Sequence, residues 1–266
     1  MKNSLRILCI GDIVGKPGRR AVKSLLPGIK ERYRVDMTIA NAENAAGGLG
    51  VTEEVLRELR PSGIDLFTTG NHVWDKKEIF DFIDRAPDLL RPANYPPGTP
   101  GKGSCLYRLS DTVRVGVINL SGRVFLKNLD CPFRMVEQLL QPLARETAVI
   151  IMDFHAEATS EKVAMGWFVD GKISAVVGTH THVQTADERV LPGGTAYISD
   201  LGMTGPMDSV LGMDTGIVLN HFLTQLPAKF EVAKHNLVLQ GAILEIDLIT
   251  GKAIHIERIS EHLLEN

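Results

Sequence analysis

Three cysteines in 266 residues, with no zinc or redox spacing among Cys9, Cys105 and Cys131, offer no disulfide framework and no thiolate metal site. They lead to the expectation of a reduced, cytoplasmic setting, with Cys9 packed inside an apolar run. Long apolar stretches are also missing. Nothing approaches the roughly 20 residues of a membrane span, and Asp12 breaks the N-terminal apolar run before a signal-peptide core could form. A membrane partner is therefore not expected. Nor does one sign of charge dominate: 29 Lys and Arg stand against 32 Asp and Glu, for a net charge of -3. That balance carries no footprint for gripping long nucleic acid, where phosphate neutralisation needs clustered cations. Even the basic segment from residue 16 to 34 alternates its charges with Val22, Leu25, Leu26 and Ile29, as a solvated amphipathic helix would, so its charges call for no ligand. No linker, repeat or low-complexity tract divides the chain. One domain over residues 1–266 is expected, and the Pro/Gly-rich stretch over 92–103 reads as a long loop, a lid or a contact between copies in a homo-oligomer.

What is present is a series of apolar runs that each release a polar cluster. Leu5-Arg6-Ile7-Leu8-Cys9-Ile10 ends in Gly11-Asp12, Met37-Thr38-Ile39-Ala40 in Asn41-Ala42-Glu43-Asn44, and Leu66-Phe67-Thr68-Thr69 in Gly70-Asn71-His72. Later, Ala148-Val149-Ile150-Ile151-Met152 ends in Asp153-Phe154-His155, and Ile173-Ser174-Ala175-Val176-Val177 in Gly178-Thr179-His180-Thr181-His182. The last run reads as a buried strand whose period of two sends His180 and His182 to the same side. A lone His-x-His is weak evidence, but in an open parallel sheet the carboxyl ends of strands converge on one crevice, so five such clusters describe one site. Helix capping explains individual Asp, Asn and Thr residues, and Thr52 before Glu54-Val55-Leu56 fits that use. It does not explain why histidine recurs at strand ends.

These residues resemble the ordered motifs of the calcineurin-like metallophosphoesterases. More narrowly, Ala42-Glu43-Asn44, Gly70-Asn71-His72-Val73-Trp74-Asp75, Arg91-Pro92-Ala93-Asn94, the run from Asp153 to Lys162 and Asp200-Leu201-Gly202-Met203-Thr204-Gly205-Pro206 are similar to the YmdB-like branch. The resemblance covers Leu5 to about Met213. It departs from the wider superfamily where Asp-x-His becomes Asp12-Ile13-Val14 and where the second Asp becomes Glu43; the branch shares both departures, which implies that Asn44 supplies the ligand Val14 cannot. Carried over residue by residue, the resemblance implies one metal held by Asp12, Glu43, Asn44 and His182. It implies a second held by Glu43, Asn71, His155 and His180, with Glu43 bridging.

Carboxylate, amide and imidazole donors without thiolate suit first-row divalent ions such as manganese, iron or zinc and do not choose among them; the expectation is two ions, iron or manganese ahead of zinc or magnesium. Two such ions about 3.5 to 4 Å apart can acidify a shared water and clamp a phosphoryl group for in-line attack. His72 adjoins Asn71 and cannot easily point the same way, which places it at the rim as a general acid, a role the resemblance also implies. Weaker readings attach to Glu157, Ser160, Glu161 and Lys162, which can orient His155 or contact phosphate and equally resemble a solvated helix start, with Ser160 as the cap and Glu161 in the first turn; for Glu161 the helix-start reading is preferred. Arg91, Asn94 and Arg123 fit phosphate contacts and surface ion pairs about equally.

Helical patterns over 17–33, 52–60, 75–83, 132–140 and 212–223 interleave with the strands, giving an α/β fold with helices outside a largely parallel sheet. Residues 230–233, 237–248 and 253–259 alternate like antiparallel hairpins, and the resemblance implies that they complete a second sheet in a metallophosphoesterase-like α/β sandwich. The functional expectation is a metal-dependent phosphodiesterase acting on a small phosphodiester, which the resemblance narrows to cyclic nucleotides, 2',3'-cyclic ones in particular. The rivals are a non-catalytic metal-binding regulatory or RNA-associated protein and a simple phosphomonoesterase. The presence of His72 favours the enzyme, because a structural metal site needs no proton donor.

Overall fold

A computed structural model of the protein describes residues 3–264. The strand period of two decides its layers. In β1 (Ser4–Ile10), Leu5, Ile7 and Cys9 face one core while Leu8 and Ile10 face another. On one side β1 pairs in parallel with β3 (Met37–Asn41), which pairs in parallel with β4 (Leu66–Thr68). On its other side lies β12 (Leu237–Asp247), antiparallel, flanked by β13 (Ala253–His262) and β11 (Met203–Pro206); the short β2 (Asp12–Ile13) closes that edge against β11.

The second sheet runs β5 (Ser104–Arg108), β6 (Arg114–Ser121), β7 (Ile150–His155), β8 (Ala175–Thr179), β10 (Ala196–Ile198), β9 (Arg189–Val190). Its four inner strands are parallel and its two edges antiparallel. Ile7 and Cys9 of the first sheet meet Val117, Ile151 and Val177 of the second in a shared core. Ile7 is fully buried there, and Ile7→Ala would cost about 2 to 5 kcal/mol. Helices α1 (Gly15–Tyr33) and α2 (Glu53–Leu59) cover the outside of the first sheet through Val22, Leu26 and Leu56. On the outside of the second, α4 (Pro132–Ala144) and α5 (Thr159–Val169) pack through Val136, Leu143, Met165 and Val169. The expected α/β sandwich of two mixed sheets flanked by helices is the observed architecture.

Several local expectations change. The C-terminal strands join the first sheet, not the second, because β12 bonds along the whole of β1. Residues 230–233 form no strand; Val232 makes a single antiparallel bridge to Met213, and Ala233 N–H donates to Gly212 O at 3.0 Å. The helix expected over 75–83 shrinks to α3 (Ile79–Phe82), since residues after Gly70 run in consecutive tight turns, Val73 N–H to Gly70 O and Asp75 N–H to His72 O. The last helix, α6 (Thr215–Thr224), buries only Val218. Thr52 does cap α2, accepting from Val55 N–H at 3.2 Å. The loop over 92–103 is clasped rather than free: the buried Arg91 guanidinium donates to the carbonyls of Pro92, Thr99 and Pro100. Arg91 is thus neither a phosphate contact nor a surface ion pair.

Candidate metal centre

The parallel strands of both sheets end on the same side of the sandwich, and a buried carboxylate stitches the sheets together there. Asp153 of β7 accepts at Oδ2 from the Asn41 amide of β3 (3.2 Å) and the Thr68 hydroxyl of β4, and at Oδ1 from the Thr179 hydroxyl of β8 (2.7 Å). Burial pushes its carboxyl pKa up, against the pull of His155 and these three donors. Because Thr179 spends its only proton on Asp153, it must accept at its other contacts, the Asn41 amide at 3.4 Å and His155 Nδ1 at 2.9 Å. His155 Nδ1 therefore carries a proton, and Nε2 turns toward the crevice as the nitrogen a metal would take in place of the second proton. Gly70 makes room for the ring: a Cβ there would lie 2.2 Å from His155 Cδ2.

Around His155 Nε2 the structure gathers three atoms with lone pairs: Asn71 Oδ1 at 2.9 Å, His180 Nδ1 at 3.0 Å and Glu43 Oε1 at 3.1 Å. One N–H can serve one of them well. Lone pairs gathered this closely around one nitrogen, with too few protons to share, would suit the ligands of a common cation. Glu43, His155 and His180 also place one donor atom each within 4.8 Å of one another. Beside this group, Asp12 Oδ1 and Asn44 Oδ1 are buried with no hydrogen-bond partner among the described residues, an arrangement that is costly unless something else satisfies them. Asn44 has turned its other end away, its amide donating to Gly48 O at 2.9 Å. The donor set fits divalent ions.

The charges fit as well. Asp12 is pushed up to about 6 by burial, with His182 and His155 pulling against it. Burial raises Glu43 too, but the charge of His155 and the hydrogen bond to it prevail and hold the carboxyl down at about 2. For His155 itself burial is outweighed by Glu43 and Asp12, so its pKa rises to about 9, while burial and the neighbouring His155 drive His180 down to about 3. The carboxylates thus draw a positive charge to the point where the donors converge.

His180 and His182 do not sit on a strand. β8 ends at Thr179, and the two histidines follow at φ +107° and +64°, backbone regions that non-glycine residues rarely visit. Strand alternation is therefore not what aims them. Hydrogen bonds do: Asp12 Oδ2 accepts His180 N–H at 3.1 Å, Glu157 carboxylate meets His180 Nε2 at 3.0 Å, and Leu211 carbonyl meets His182 Nδ1 at 3.0 Å. Between them, Thr181 donates its N–H and its hydroxyl to Asp200, which the buried Lys162 also grips at 2.7 Å. Glu157 thus orients His180, not His155, and Lys162 acts through Asp200. Glu161 is buried and accepts the N–H groups of Arg123 and Val124, so it is no solvated helix start; Ser160 lies inside α5, whose cap position is Ala158. Asn94 is buried and ties Ser121 N–H and O to Asp130 O. The Thr179–Asp153 and Lys162–Asp200 links escaped sequence reasoning. Asp153 and Asp200 stood inside the quoted motifs, but nothing in sequence pairs them with residues from other strands.

His72 stands at the rim. Its N–H donates to Glu43 Oε2 at 3.1 Å and its ring Nδ1 meets Asp75 Oδ2 at 2.8 Å, which leaves Nε2 for the cavity. That cavity, about 280 Å³, is lined by Glu43, Asn44, His72, Glu157, His180 and His182. A larger one of about 910 Å³ lies elsewhere, among Ser4, Asp36, Val113 and Leu248, and shares no residue with the centre.

A family model described as YmdB-like protein matches residues 8–259. The chain is 56% identical over 255 residues to the 2',3'-cyclic-nucleotide 2'-phosphodiesterase of Bacillus subtilis (strain 168), covering 96% of each chain. Among solved structures it is similar to a novel phosphatase from Mycoplasma pneumoniae, with TM-score 0.91, 35% identity and coverage of 98% of this chain and 95% of that one. It is also similar to a hypothetical protein from Thermus thermophilus, with TM-score 0.90, 40% identity and coverage of 97% of this chain and 99% of that one.

Proposed function

The chain belongs to the YmdB-like family of metallophosphoesterases, and from that membership we propose that it is a phosphodiesterase opening cyclic nucleotides, 2',3'-cyclic ones first, at a two-metal centre within one domain. The observation that carries this reading is the convergence of Asn71 Oδ1, His180 Nδ1 and Glu43 Oε1 on His155 Nε2, next to the unpartnered oxygens of Asp12 and Asn44. Glu43, Asn71, His155 and His180 would hold an inner ion, and Asp12, Glu43, Asn44 and His182 an outer one. When bound, such ions supply an acidified water and neutralise the phosphoryl oxygens.

The chain's own groups do the rest. Glu43 sets Oε1 beside His155 Nε2 and holds Oε2 against His72 N–H, and as the proposed bridge it would serve both ions. Thr179 and Asp153 hold the His155 tautomer, and Glu157 holds the His180 ring so that Nδ1 faces inward. His72, oriented by Asp75 through Nδ1, can donate from Nε2 to the leaving sugar oxygen at the rim. Loss of that alkoxide without a proton would be slow, because it is a strong base. The deciding experiment is turnover of metal-loaded protein on uridine 2',3'-cyclic phosphate beside a nitrophenyl monoester. We expect the cyclic diester to dominate in kcat/KM. Preference for the monoester would make the protein a phosphomonoesterase, and turnover of neither with two ions bound would make it a regulator.

A further inference from the structure

The cations of α1 divide into two groups. Arg19 and Lys23 are both engaged by Glu58, at 2.8 and 2.6 Å, and Arg32 by Glu261. Lys16 and Arg20, one helical turn apart and so on one face, make no ion pair or side-chain hydrogen bond among the described residues. They line a cleft of about 620 Å³ with Lys229, Lys234, Phe230 and Glu231. Among the described residues Lys229 and Lys234 are unpaired as well. Four free cations against one carboxylate give this cleft a local excess of positive charge in a chain whose net charge is -3.

The cleft adjoins the metal centre. Gly47 lines the cleft and Gly48 lines the centre's cavity, in a turn where both take positive φ, +72° and +96°. Val232, which lines the cleft, and Met213, which lines the cavity, each come within 3.0 Å of the place a Gly48 Cβ would occupy. One tight turn and two side chains separate the two spaces. Phe230, which lines the cleft, packs edge-to-face with His221 at 5.5 Å and stays 45% exposed.

We propose that this cleft binds the nucleotides preceding a terminal cyclic phosphate, so that the substrates include RNA fragments ending in a 2',3'-cyclic phosphate. The proposal rests on the phosphodiesterase reading above. A 2',3'-cyclic phosphate occupies the 3' end of a chain, so the chain can leave the small cavity only on the 5' side, where a cationic groove would track its phosphates. Free Lys and Arg side chains meet successive phosphates, and an aromatic ring stacks a base without regard to sequence. A concave cleft between a helix and a loop admits a strand and not a flat lipid surface, which favours RNA over an anionic membrane.

The test compares a uridine hexamer ending in a 2',3'-cyclic phosphate with uridine 2',3'-cyclic phosphate on the metal-loaded protein. For the natural chain at low salt, kcat/KM for the hexamer should exceed that for the mononucleotide on the order of tenfold, through KM, and the advantage should decline with salt at a log–log slope of about -2 to -3 for four phosphate contacts. Lys16→Ala, Arg20→Ala, Lys229→Ala and Lys234→Ala combined should remove the advantage and leave mononucleotide turnover unchanged. Equal kcat/KM for the two substrates in the natural chain, or an advantage that survives the fourfold variant, overturns the proposal. Fluorescence anisotropy with a labelled hexamer ending in a 3'-phosphate separates the two readings. Charge-dependent hexamer binding without any turnover would sink the phosphodiesterase reading and keep the cleft, whereas turnover without hexamer binding would do the reverse. Sedimentation with phosphatidylserine vesicles through the same cations, with no hexamer bound, would replace RNA by membrane and also overturn it.

Discussion

His155 stands at the end of a strand with its ring fully buried and its Nδ1 fixed by Thr179, whereas His182 hangs in a loop at φ +64°, held by one carbonyl, that of Leu211. The same contrast runs through the two halves of the centre. Asn71, His155 and His180 close on one point at about 3 Å; Asp12, Asn44 and His182 make no hydrogen bonds to each other, and two of them keep oxygens unpartnered among the described residues. In the proposed two-ion arrangement, the half around His155 is already organised by a network that spans both sheets, whereas Asp12, Asn44 and His182 would be drawn together only by an ion. Higher affinity at the first position is therefore expected, because less ordering entropy would be spent there.

Glu43→Ala should erase the difference between the halves altogether. As the residue proposed to bridge, Glu43 should, when removed, empty both positions and lower cyclic-nucleotide turnover by at least about 10⁴-fold, beyond the loss of any single proton donor. Elemental analysis reads the ions directly, and two per chain in the variant would refute the bridging assignment.

His72→Ala should leave both halves loaded and lower turnover by on the order of 10² to 10⁴. Bis-nitrophenyl phosphate, whose nitrophenolate leaves without a proton, should lose much less. Equal losses on the two substrates would argue that His72 binds phosphoryl oxygens instead.

Two substitutions address one half each. Thr179→Val frees the His155 tautomer and should weaken the inner ion by roughly 10- to 100-fold, while Asn44→Ala should weaken only the outer one. Stepwise titration calorimetry distinguishes them, and the same step affected in both variants would undo the partition.

A more modest change is expected in the metal-free protein. His155 is raised in the fold to about 9 from 6.5, so its proton contributes stability that is fully present below about pH 6.5 and lost as pH rises through 9. Asp12, raised to about 6, loses its own contribution as pH rises through 6, so only the tail of its titration adds to the fall at the lower edge of that window. The melting temperature after chelation should therefore fall between pH 6.5 and 9. The loaded protein, whose His155 is held by the ion, should show no such fall, and parallel curves would show that the proton is not where the carboxylates draw it.

Much of this was legible in sequence. The strand ends carrying Asp12, Glu43, Asn44, Asn71, His155 and His180 were visible because a buried parallel strand is an unbroken apolar run, and its end is marked by the first polar residue. Thr52 was visible as a cap for the same local reason. The placement of residues 237–248 was not: alternation says that a strand has two different faces and nothing about its neighbours. Arg91 and Glu161 were misread because an isolated charge in a loop or a first helical turn looks solvated until backbone groups from elsewhere close on it.

The order of residues alone settles the inventory: which side chains stand at which strand ends, and that they are oxygen and imidazole donors without thiolate. What those side chains present is a property of the folded chain. The proton on His155 Nδ1 depends on Thr179, which depends on Asp153, held by Asn41 and Thr68 from the opposite sheet. The aim of His180 and His182 depends on backbone angles that a strand would not allow, kept by Asp12, Glu157, Leu211 and the Lys162–Asp200 pair. A side chain's identity is local, but the direction of its lone pair is set by every partner around it, and those partners come from places along the chain that only folding brings together.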